Sequence, residues 1–108
     1  MLYKLCFYVP ESHLEGLKTA LFEKGAGRYG SFDLCSWQTQ GSGQFRGLSG
    51  SHPFIGKEGE LTEVSEFRVE MVCQAKYIKA VLAELIKSHP YEEPAYAVHE
   101  SKTIQDFL

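Results

Sequence analysis

The chain has 108 residues, enough for one hydrophobic core and too few for two ordinary domains. Its 44% hydrophobic and 23% charged content is that of a soluble globular protein, and no stretch is long enough to span a membrane. A formal net charge of -3 and the lack of any Lys/Arg run argue against nucleic acid as the main partner.

Residues Leu2 to Val9, rich in Leu, Tyr, Phe and Val, predict a first strand rather than a signal peptide, since no small-residue cleavage site follows. Pro10 suits the first position of a helix, where its missing N–H is of no consequence. Leu14, Leu17, Leu21 and Phe22 then form one apolar stripe, which Gly25 and Gly27 end. From Arg28 to Phe45 the pattern favours extended structure, with a bend or bulge near Cys35. Residues Gln40 to Glu60 hold many glycines, but Phe45, Leu48, Phe54 and Ile55 anchor them, so an ordered, self-packed loop is expected.

Glu63 to Cys73 alternates cleanly, with Phe67, Val69, Met71 and Cys73 on one face and Glu66, Arg68 and Glu70 on the other. A second helix is predicted from about Lys76 to Ser88, turning Tyr77, Ile78, Val81, Leu82, Leu85 and Ile86 to the core. His89-Pro90 stops it, because proline disfavours helical geometry in the residue before it. Ala95 to His99 reads as a last short strand, and 100–108 as a weakly specified tail that docks. The order β-α-β-β-α-β predicts an α+β, ferredoxin-like two-layer sandwich: an antiparallel sheet with two helices on one face, as a single domain over 1–108. The other sheet face, carrying Glu66, Arg68, Glu70 and residues around Trp37, is expected to meet a second subunit.

Three cysteines, Cys6, Cys35 and Cys73, are an odd number without C-x-x-C spacing. They predict buried free thiols in a reducing cytoplasm. Two segments hold residues suited to ligands. The first, GSGQFRGLSGSHPFIGKEG (41–59), has glycines whose N–H groups can approach an anion, with Arg46 and His52 beside them. It lacks the G-x-x-x-x-G-K-[ST] pattern, and a plain strand-to-strand connection is the alternative. The second, SHPYEEPA (88–95), sets His89, Glu92 and Glu93 in one short turn, a partial site for a divalent metal that His52 or Glu66 would complete. A rigid turn with packed Tyr91 and solvated carboxylates is the alternative. Arg68 lies between Glu66 and Glu70, which favours charge neutralisation over acid–base work by the two carboxylates. Phe54 and Tyr91 join Arg46, His52, Glu66 and Arg68 as expected ligand-binding residues. His13 and His99 read as solvated, and no catalytic nucleophile is indicated.

Taken in order, Tyr3-Lys4 to Val9-Pro10-Glu11, Gly25-Ala26-Gly27-Arg28, Gly43-Gln44-Phe45-Arg46, Pro53-Phe54-Ile55-Gly56, Glu66-Phe67-Arg68-Val69-Glu70 and His89-Pro90-Tyr91-Glu92-Glu93-Pro94-Ala95-Tyr96 resemble the YqfO-type domain of the Nif-three-like dinuclear-metal family. The His89–Glu92 stretch is also similar to one in the copper-tolerance protein CutA. The resemblance implies a fold like that of CutA and the PII signalling proteins, which are ferredoxin-like trimers. It also implies that the family's dinuclear metal ligands lie in flanking domains, outside these residues. Three functions follow as expectations: an oligomeric, preferably trimeric, binding and regulatory module with a metal or small anionic ligand at a subunit junction; a metal-dependent hydrolase or an accessory subunit of one; or a structural oligomerisation domain for a partner protein.

Overall fold

Leu5, Phe7 and Val9 alternate along the first strand, β1 (Leu2–Pro10), and all three are fully buried under two helices. A computed structural model describes residues Met1–Leu108. Pro10 ends β1 in extended geometry (φ -68°, ψ 153°) and precedes α1 (Glu11–Glu23), one place earlier than its predicted position inside the helix. Leu14, Leu17 and Leu21 bury the apolar stripe of α1 against β1 and β3 (Leu61–Gln74), whose Val69, Met71 and Cys73 complete the sheet side of the core. From α2 (Ala75–Ser88), Val81 and Leu85 are fully buried, and Tyr77, Ile78 and Leu82 pack at the margin. Ile86, expected in the core, is 55% exposed on the outer side of the helix. Gly25 adopts φ 112°, and a Cβ there would run into the Tyr77 ring; the residue closes α1 and lets α2 approach.

The second strand, β2, runs only over Trp37–Arg46, so the extended start expected from Arg28 is corrected. Tyr29 and Phe32 exchange backbone hydrogen bonds at 2.9 Å in each direction, folding the segment into a tight turn. Leu34 then takes a left-handed φ of 53°, which supplies the bend predicted beside Cys35. The Gly-rich stretch is likewise divided. Residues Gln40–Arg46 are strand, paired in register with β3 from Gln40↔Phe67 to Arg46↔Leu61, and only 47–60 form the connecting loop. The last strand, β4 (Tyr96–Ser101), reaches two residues past the predicted end, so Glu100 and Ser101 belong to the sheet and not the tail. A short 3-10 turn, Ile104–Phe107, follows, capped reciprocally by Thr103 and Asp106.

The sheet order is β2-β3-β1-β4, every neighbouring pair antiparallel, with both helices on one face. This is the ferredoxin-like two-layer arrangement expected from the sequence. The opposite face carries Lys4, Cys6 and Tyr8 of β1, Glu66, Arg68 and Glu70 of β3, and Trp37 of β2, which lies directly across from Glu70. Lys4 Nζ pairs with Glu70 Oε1 at 2.9 Å, and Arg68 approaches the same oxygen at 4.0 Å. Lys4 lowers the Glu70 carboxyl below its ordinary range. Cys6 and Cys73 are buried as expected, whereas Cys35 is only half-buried, because the turn that precedes β2 lies outside the core. No helix is long and apolar enough to cross a membrane.

Candidate functional site

The segment after α2 turns under the end of the open sheet face, and His89 fixes it there. His89 is buried, its Nδ1 accepts the Tyr91 N–H at 3.1 Å, and its Nε2 lies 2.6 Å from the Tyr8 carbonyl. A carbonyl only accepts and a backbone amide only donates, so the neutral Nε2–H tautomer satisfies both contacts. Burial pushes the imidazole pKa down, His13 acts in the same direction, and the Tyr8 carbonyl and Glu66 oppose them. Both ring nitrogens are therefore engaged inside the chain. His89, expected as a metal ligand, acts within one copy as a latch between the turn and β1.

Above the latch, the Tyr91 ring packs 4.8 Å from His89, and its phenol donates to Glu66 Oε2 at 3.1 Å. Burial, then the charge of Glu66 and that hydrogen bond, hold the phenol protonated well above the ordinary tyrosine range. Glu66 has room because Gly43 lies beside it: a Cβ on Gly43 would fall 2.8 Å from Glu66 Cδ. Phe45 and Phe54 flank Tyr91 with ring centroids at 6.5 and 6.4 Å, and His13 meets Phe54 edge-on at 5.4 Å. His13, read from sequence as solvated, thus supports the loop.

These groups line a cleft of about 620 Å³, a size usual for small-molecule sites. Its floor is the sheet (Tyr8, Val64, Glu66 and Phe45); its walls are the loop from Arg46 to Phe54 and the turn from Tyr91 to Ala95. Of the residues singled out in the sequence, Arg46, Phe54, Glu66, Tyr91, Glu92 and Glu93 converge here. His52 stands at the edge, its backbone N–H donating to Glu92 Oε2 at 3.1 Å. Arg68 does not join them and stays with Glu70 farther along the open face. Sequence reading missed Tyr8, Val64 and Ser51. The alternation of β1 carried a signal for Tyr8, which points opposite to Phe7 and Val9.

The expected metal site is not assembled within one copy: no three His, Cys, Asp or Glu side chains come together in a way that would hold an ion. His89 is occupied, and Glu92 is tied to the His52 amide.

No family model matches the chain. A Bacillus subtilis protein named GTP cyclohydrolase 1 type 2 homolog is 45% identical over 98 residues, covering 91% of this chain and 26% of that protein. The chain spans about a quarter to a third of the length of the curated relatives it matches. Among solved structures, a Bacillus cereus protein related to NIF3 superposes with a TM-score of 0.77 at 33% identity, over 91% of this chain and 25% of that one. The periplasmic divalent cation tolerance protein CutA from Archaeoglobus fulgidus gives a TM-score of 0.69 at 18% identity, over 100% of this chain and 92% of that one, a likeness of fold alone.

Proposed function

Since this chain belongs to the Nif-three-like family through one segment of its members, and has the CutA/PII-like fold, we propose that it is a binding and regulatory module that works as a homo-oligomer, with a trimer preferred. The observation that carries this reading is the position of the cleft. It opens on the sheet face that the helices leave bare, where a second copy would lie against Trp37 and the Lys4–Glu70 pair. A small ligand bound there would be felt by the assembly, because its floor and the proposed contact share β1 and β3. The ligand-binding residues proposed are Arg46, Phe54, Glu66 and Tyr91, with His52 at the edge. The one-domain reading over 1–108 extends to the 3-10 turn, and three free thiols are in keeping with a reducing cytoplasm.

Hydrolysis of a nucleotide by this segment alone finds less support. The name of the Bacillus subtilis relative refers to a protein about three and a half times as long as this chain. A junction metal would need ligands from a neighbouring copy to join Glu92, Glu93 and the His52 imidazole. Light scattering on untagged protein, with metal content measured on the same sample, tests the reading. A trimer mass supports it; a monomer at all concentrations, with no ligand-dependent change at the cleft, overturns it.

A further inference from the structure

The ligand class follows from how the cleft uses its own polar groups. An anion site built from a Gly-rich loop needs free backbone N–H groups. Here Ser51 N–H donates to the Leu48 carbonyl at 3.0 Å, Gly50 N–H to Glu58 Oε2 at 3.2 Å, and His52 N–H to Glu92 Oε2 at 3.1 Å. Two of these amides already hold carboxylates of the chain; the Gly47, Leu48 and Ser49 N–H groups have no acceptor within it, so the charge of the lining decides. The lining carries Arg46 as its one cation against Glu66, Glu92 and Glu93, so the local balance is negative and repels an anion.

The rings point the same way. Phe45 and Phe54 are tilted against Tyr91 by 49° and 47° and do not stack on it, and all three rings line the cleft. The face of an aromatic ring attracts a positive charge, most strongly where water is partly excluded. Tyr91 remains a neutral phenol that turns its proton to Glu66, leaving the carboxylate its other lone pairs. Ser51 Oγ is buried in the wall with no partner within the chain. Resting on the reading of this cleft as the ligand site, we propose that it binds a small organic cation: an alkylammonium whose charge sits among Glu66, Glu93 and the rings, with its carbon stem against Val64 and Phe54. An alkylammonium fits better than a bare metal ion, since no three ligating side chains converge while apolar surface does.

Amide NMR spectra of the full chain, titrated separately with putrescine, inorganic phosphate and zinc, test this, with light scattering on each sample. Putrescine is expected to give saturable shifts at Phe45, Tyr91 and Glu93. Glu93→Gln and Phe45→Leu should each weaken binding about five- to tenfold, and Arg46→Gln should tighten it by removing a like charge. Saturable phosphate shifts that Arg46→Gln abolishes, or no putrescine shifts in an intact oligomer, would overturn the proposal. A phosphate or zinc response at the cleft of an oligomer discards the organic cation and keeps the module. A monomer that answers none of the three discards both.

Discussion

The Tyr91 phenol donates to Glu66 Oε2 at 3.1 Å, joining the turn after α2 to the middle of β3 across 25 residues of sequence. A neutral donor thus holds an ionised acceptor at the floor of a half-buried cleft. Tyr91→Phe removes this bond without changing ring volume. The expected loss is about 1–2 kcal/mol, seen as a lower urea midpoint at unchanged slope. The same variant should match the parent in ultraviolet titration through the ordinary tyrosine range, about pH 10, because the Tyr91 phenol stays protonated there. A larger absorbance change in the parent would show that this phenol titrates normally.

Gly43 makes that contact possible by leaving space beside the Glu66 carboxylate. Its φ is not in the left-handed region, so Gly43→Ala disturbs the side chain and not the backbone. Ala should displace Glu66 from Tyr91 and bring the phenol pKa part of the way down, since the charge and hydrogen bond of Glu66 add to the larger effect of burial. Titration of the variant at alkaline pH reads this directly. An unchanged phenol would mean that Glu66 swings aside and keeps its bond.

His89 sets a pH dependence on stability. Burial holds its folded pKa below that of the unfolded chain, so on acidification the unfolded state takes up the proton first. Its contribution is fully present above the ordinary imidazole pKa, about 6.5, and is lost as pH falls through that value toward the folded one. His89→Phe keeps a ring in place but strands the Tyr8 carbonyl and the Tyr91 N–H, at a cost of about 2–4 kcal/mol. Denaturation midpoints at a series of pH values should show an acid slope in the parent that is shallower in the variant. Parallel curves would assign the slope to other groups.

The parts of the fold that periodicity exposes were legible in the chain. Phe67, Val69, Met71 and Cys73 fall on one face of β3, and Leu14, Leu17 and Leu21 on one side of α1, because burial on a single face writes itself into spacing. The start of β2 was not, since Tyr29, Phe32 and Leu34 look strand-like while Gly30 and Leu34 take positive φ and break the extension. The glycines after Gln40 suggested a loop, yet the facing β3 residues pair them into a strand. At the cleft, the spacing identified the two segments, but not that Glu92 would reach the amide of His52, 40 residues earlier. Nor could it find the partner that makes His89 a latch, since the Tyr8 carbonyl lies 81 residues away.

Trp37 provides a reporter for the proposed assembly. It is the one tryptophan, lies across from Glu70 on the bare sheet face, and is 57% exposed in a single copy. A neighbouring subunit on that face would cover the indole and shift its emission to shorter wavelength. Dilution should then move the emission to longer wavelength at the concentration where light scattering shows the mass falling. Lys4→Glu places like charges together in the Lys4–Glu70 pair and should bring that transition to higher concentration. Acid should act in the same direction: Lys4 holds the Glu70 pKa low, so the pair is intact above the ordinary glutamate pKa and is lost as pH falls through the folded value. A mass that falls on dilution while Trp37 emission stays constant would move the subunit contact off this face, to the free edges of β2 and β4.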